Sequence, residues 1–168
     1  MFYRCTALYH IPHRSALGLE DDEKRQKALT GGMGSGIVGA SVNKEDDMYS
    51  KTRFNCAKSD LVSAYLYPAA DSTKQVEHTF IRALLGIAAK QGRVTQDDIQ
   101  RAIEASGIFD LSPEIADQML RTLNAIGDYY FGALSRQQAA ELRQLRKLCI
   151  LAAATGDADA WAQIAELI

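Results

Sequence analysis

From residue 59 onward, apolar side chains return at intervals of three and four, the spacing of one face of an α-helix. Ser59 and Asp60 suit a helix start, and Pro68 closes the short segment that reaches Tyr67. Val76, Phe80, Leu84 and Ile87 then mark a helix from Thr73 to Gln91, with Gly92 as its stop. Thr95-Gln96-Asp97-Asp98 has the form of a capping box, and Ile99, Ala102 and Ile103 supply the stripe that follows it, up to Gly107. Ser112-Pro113-Glu114 opens another helix, because proline at the first helical position gives up an N–H that would have no partner there. Its stripe is Ile115, Met119, Leu123, Ile126 and Tyr130. Ser135 starts a helix with Ala139, Leu142, Leu145, Cys149 and Ala152 on one face; Gly156 breaks it, and Asp157 caps a last piece containing Trp161, Ile164 and Ile168. Each stripe needs a partner, so the pattern predicts a mainly α protein, a bundle of five or six helices.

Before residue 59 the pattern is different. Phe2 to Tyr9 reads as a strand, Glu20 to Leu29 as a short charged helix, and Ile37 to Val42 and Thr52 to Ala57 as short strands. Five glycines, Gly31, Gly32, Gly34, Gly36 and Gly39, crowd the middle of this region. The chain therefore divides into an N-terminal glycine-rich segment, residues 1–58, of short α+β or irregular character, and a helical bundle domain, residues 59–168. The glycines predict mobility over residues 30–50 in the isolated protein.

At 168 residues with 47% apolar side chains, the chain has the composition of one globular domain and not of a disordered protein. The formal net charge is −2. Nine basic and seven acidic side chains precede residue 59, against ten and fourteen from there on, so the first part is about +2 and the second about −4, and the balance does not suggest wholesale capture of nucleic acid or of an anionic membrane. Cys5, Cys56 and Cys149 are odd in number and widely spaced, which predicts reduced thiols and a cytoplasmic setting. No apolar window approaches the roughly 20 residues of a membrane span, and no membrane partner is expected.

Leu84 to Ala105, LLGIAAKQGRVTQDDIQRAIEA, runs from an alanine-rich helix end through a glycine turn and a valine to a capped acidic helix start. In this it resembles the TerB-like helical domains. Leu148 to Leu167, LCILAAATGDADAWAQIAEL, echoes the arrangement, so the resemblance brackets residues 75–168. It implies an interaction or scaffolding domain. Members of that family usually carry acidic residues flanking the turn glycine, suited to a cation; here Gln91 and Arg93 occupy those places, which argues against a metal site at the first turn, while the second turn keeps Gly156-Asp157 and Asp159 but has Thr155 before the glycine.

Other chemistry is sparse. Gly34, Gly36 and Gly39 fit G-x-G-x-x-G and form a candidate anion-contacting loop, but without the preceding strand and following helix that dinucleotide binding needs. Cys5, His10, His13 and Cys56 have the residue types of a zinc site; only one close pair exists and Pro12 sits inside it, so separate histidines and thiols are the simpler reading. Tyr3-Arg4-Cys5-Thr6 is similar to the opening strand of ADP-ribosyltransferases, with Phe54 to Tyr65 as a later element, yet cysteine replaces the usual glycine and no acid-x-acid motif follows.

Arg136, Arg143 and Lys147 share one helical face with Arg146 beside them, a basic stripe for an acidic protein surface or a nucleic-acid backbone. Tyr129, Tyr130 and Phe131 cluster at a helix end, where consecutive residues cannot all face one core. His78 reads as an exposed polar residue beside Lys74 and Arg82. No cofactor, metal or catalytic residue is implied. The expectation is a non-enzymatic protein-interaction module: an adaptor, an inhibitor or a subunit of a larger complex. A small NAD- or nucleotide-using enzyme and a nucleic-acid-contacting subunit of a ribonucleoprotein are the alternatives.

Overall fold

A computed structural model describes the backbone of residues 44–168 and the side chains from Ser50 onward. Among the described residues it is mainly α, with six α-helices and almost no sheet. Helix α1 spans Lys44–Leu66, α2 Ser72–Gln91, α3 Gln96–Glu104, α4 Pro113–Tyr130, α5 Arg136–Thr155 and α6 Ala158–Leu167. Two short strands, β1 (Arg93–Val94) and β2 (Gly132–Ala133), follow α2 and α4. The expected strands at 2–9 and 37–42, the expected helix at 20–29, the glycine loop at Gly34, Gly36 and Gly39, and Cys5, His10 and His13 lie outside the described residues.

The first helix begins earlier than its pattern suggested. Thr52 to Ala57, expected as a strand, lies inside α1, and so does the Phe54–Tyr65 segment compared with an ADP-ribosyltransferase element. The helical unit consequently starts at Lys44 and not at residue 59, and the last part of the stretch expected to be mobile belongs to α1. The reason is visible in its buried positions. Phe54, Ala57, Leu61 and Ala64 recur at three, four and three, one helical face running straight through the boundary placed at residue 58. Ser59 and Asp60 are mid-helix residues, where the side chain of Asp60 has a tertiary role in place of a cap.

The remaining helix ends follow the local signals. Asp71 caps α2 by accepting the N–H of Lys74 at 2.8 Å, so the helix starts at Ser72, one residue before the expected Thr73. Gly92, at φ +74°, closes α2 in the left-handed region, where a side chain is strained. Thr95 with Asp98, and Ser135 with Gln138, form full capping boxes on α3 and α5. Pro113 stands at the start of α4, and Gly156 and Asp157 separate α5 from α6.

Helix α2 is central, packing against α1, α3, α4 and α5 with Phe80, Leu84, Leu85 and Ala88 buried. All five stripe residues of α5 are buried, Cys149 included. Elsewhere the stripe is cut short: Ile115, Trp161 and Ile168 are exposed, and Ile87 and Met119 are half-buried. His78, expected at the surface, is buried. Burial, and then the positive charge of Lys74, depress its pKa below the usual histidine value. Lys58 is buried as well; its ammonium lies 5.3 Å from the Phe54 ring centre and donates to the Leu167 carbonyl at 2.6 Å, so α1 caps the last turn of α6.

β1 and β2 pair antiparallel, Arg93 opposite Ala133 and Val94 opposite Gly132. The Leu134 N–H extends the ladder by donating to the Gly92 carbonyl at 2.7 Å. Each strand leads from a helix end to a capped helix start, with a glycine just before β1 and at the first position of β2, so Gly92-Arg93-Val94-Thr95 and Gly132-Ala133-Leu134-Ser135 are structural counterparts. The echo seen in the sequence at Leu148 to Leu167 does form a helix, glycine turn and helix, but the segment that pairs with the first turn is the one at Gly132.

Helices α3 and α4 approach closely at Gly127, where a Cβ would lie 2.7 Å from Ile99 Cγ2 and 3.0 Å from Ile99 Cγ1. Alanine favours a helix over glycine by about 1 kcal/mol, whereas overpacking a core costs about 1–3 kcal/mol. Ile99 is itself fully buried, so moving it aside disturbs the packing around it. Gly127→Ala is therefore expected to lower stability despite its better helix propensity, measured as a lower urea midpoint with an unchanged slope.

Candidate functional site

Two of the residue groups singled out in the sequence meet at the β-ladder. The first is the aromatic end of α4. Phe131 leaves the helix with extended backbone angles, and Gly132 follows at φ +139°, a conformation open to glycine. The three consecutive aromatics consequently divide. Tyr130 is buried at 8% exposure, Tyr129 is half-buried, and Phe131 remains 49% exposed.

Helix α1 holds this end in place. The Arg53 Nη1 donates to the Phe131 carbonyl at 3.0 Å, and its guanidinium lies 5.8 Å from the centre of the Tyr129 ring. Tyr129 and Tyr130 meet edge to face at 5.0 Å. The Tyr130 hydroxyl donates to the Asp60 carboxylate. Beside these groups is a cleft of about 270 Å³, lined chiefly by apolar side chains of α1, α2, β1 and α5, among them Phe54, Leu85, Val94 and Leu142. Arg53, Phe131 and Leu134 line it too.

The half-buried carboxylate of Asp60 gives this region a pH signature. Burial raises the pKa of Asp60 above 3.8, the Tyr130 hydroxyl bond pulls against it, and Glu77 adds to the rise. The phenol of Tyr130 is raised far beyond its usual range by burial and by Asp60, so it stays a donor at all ordinary pH values. Asp98 is the contrast. Burial pushes its pKa up, but the Thr95 hydroxyl and N–H together with Arg101 outweigh this and hold it below 3.8. Gln91 donates to the same carboxylate at 3.2 Å, tying α2 to the start of α3.

The basic stripe of α5 separates into parts. Arg136 and Arg143 line a second pocket of about 330 Å³ together with Lys90, Gln91 and Gly92 at the end of α2 and with Leu134 and Ser135. Arg143 donates to the Ala89 carbonyl at 2.8 Å. Lys147 is exposed and does not line that pocket. Arg146 turns toward α2, its buried Nε lying 3.5 Å from where a Cβ on Gly86 would stand, so it belongs to the packing between the helices.

Sequence reasoning missed Lys90, Arg53 and Asp60. Lys90 and Arg53 come from helices distant in the chain from the groups they join. Asp60 has the local composition of a helix start, and only its spacing from Phe54 and Ala57 signals otherwise. Burial pushes the Cys149 thiol up to about 11, which leaves it a poor nucleophile. Among the described residues no helix is long and apolar enough to cross a membrane. Comparison with protein-family models, with curated protein sequences and with solved structures returns no match.

Tyr130→Phe deletes the donor to Asp60 and leaves a half-buried carboxylate short of a partner, a loss of about 1 kcal/mol at neutral pH. The hydroxyl bond stabilises the ionised form, so its removal raises the folded-state pKa of Asp60 further. The raised pKa means that the folded state favours the proton more than the unfolded state does. The cost is therefore expected to be largest above the folded-state pKa values of wild type and variant, both of which lie above 3.8, and to shrink as pH falls through them toward 3.8, where Asp60 takes up its proton in both folded proteins. Denaturation midpoints of wild type and variant across this range test it; a cost independent of pH contradicts the assignment.

Proposed function

We propose that the helical unit is a protein-interaction module whose docking surface is the cleft beside Phe131, and that it acts by binding and not by catalysis. The observation that carries this reading is a large aromatic side chain held half out of the fold on a fixed backbone. Arg53 anchors the Phe131 carbonyl, and Tyr130 is tied to Asp60 immediately before it. A side chain presented in this way gives up little conformational freedom on binding, and the neighbouring cleft has the size and lining for an apolar side chain of a partner. The resemblance of residues 75–168 to TerB-like domains supports the same class of function, an interaction or scaffolding role.

Phe131→Ala removes the exposed ring without touching the buried Tyr130. The expected outcome is loss of a stoichiometric protein partner that the wild-type full chain retains from its native cell, with helicity and thermal midpoint unchanged. The purified partner should bind the variant at least about tenfold more weakly, as for an aromatic anchor at an interface. Retention of the same partner at the same affinity overturns the reading.

A further inference from the structure

The geometry points to a partner of defined chemistry: a peptide segment with an acidic side chain next to an apolar one, whose carboxylate enters the pocket between the end of α2 and the start of α5. The inference rests on the Phe131 cleft being a docking surface, and adds to it an anion subsite. Three cations from two helices, Lys90, Arg136 and Arg143, line this pocket, and no acidic side chain does. Among the described residues, none of the ion pairs uses any of the three. Arg143 spends one donor on the Ala89 carbonyl, which fixes its guanidinium without neutralising it and leaves further N–H groups for an oxyanion. Like charges gathered without a counter-charge repel one another, and a carboxylate between them relieves that cost.

Leu134 connects the two sites, since it lines both the apolar cleft and the basic pocket. One short ligand can therefore reach from one to the other. The cations gather at a single pocket instead of following a groove, and residues 59–168 carry an excess of acidic side chains that repels a polyanion at longer range. A carboxylate beside an apolar side chain fits this arrangement better than a phosphodiester backbone does.

The test uses the isotope-labelled full chain titrated at low salt with two capped tetrapeptides, Glu-Glu-Leu-Phe and Gln-Gln-Leu-Phe, and with a single-stranded oligothymidylate. The acidic peptide is expected to move the amide signals of residues 90–92 and 135–139 together with those of Arg53, Gly132 and Ala133, whereas the glutamine peptide moves only the second set. The double variant Lys90→Gln, Arg136→Gln is expected to bind the acidic peptide about tenfold more weakly, two solvent-facing ion pairs' worth, and the glutamine peptide unchanged. Equal binding of the two peptides, with signals moving at the cleft alone, overturns the subsite and leaves the docking surface standing. Signals unmoved at both places overturn both. Tighter binding of the oligothymidylate at residues 90–92 and 135–139 overturns the peptide assignment in favour of nucleic acid.

Discussion

A two-residue antiparallel ladder holds together the part of the bundle where its chemistry collects. Two strands of this length have no stability of their own. They persist because each joins the end of one helix to the capped start of the next, so the flanking helices have already fixed the backbone on both sides. The ladder then sets a constraint in return. With Leu134 N–H on the Gly92 carbonyl, α5 must begin beside the end of α2, which brings Arg136 to the same pocket as Lys90. The same pairing places Gly132 and Ala133 against α1, where the apolar cleft opens. Both candidate sites are consequences of one backbone register.

The buried polar groups play a related part. Asp98 is fully buried and Asp60 half-buried, yet it is Asp60 whose pKa rises and Asp98 whose pKa falls. Asp98 sits at a helix start where local N–H and hydroxyl donors converge on it, and Arg101 on its own helix adds a charge. Asp60 sits in mid-helix, where backbone donors are already used, and its partner is a phenol contributed by α4. A cap therefore stabilises the ion, and a mid-helix carboxylate depends on the fold around it. That dependence ties α1 to the aromatic end of α4 and fixes the direction in which Phe131 leaves the helix.

The helical grammar was readable wherever its signals are local. The capping residues Thr95 and Ser135, the stops Gly92 and Gly156, Pro113 and the buried stripe of α5 all act within one or two turns, so their meaning survives without knowledge of the rest of the chain. The reading failed at α1 and at His78. Ser59-Asp60 has the composition of a cap, and only the longer periodicity through Phe54, Ala57 and Leu61 reveals an uninterrupted helix. His78 has charged neighbours along its helix, but its burial comes from packing that neighbouring residues do not report.

The same distinction applies to the candidate sites. The sequence alone determined that Tyr129, Tyr130 and Phe131 could not all be buried, because a helix turns about 100° per residue, and that Arg136, Arg143 and Lys147 share a face. Which aromatic stays outside was decided by the Asp60–Tyr130 bond and by the turn at Gly132. Which cations gather was decided by the ladder, which added Lys90 and left Lys147 apart, while packing against α2 drew Arg146 inward. Helix periodicity is a property of neighbouring residues and is written along the chain; the meeting of α1, α2, α4 and α5 depends on backbone pairing and burial between segments up to about 80 residues apart, as in Arg53 with Phe131.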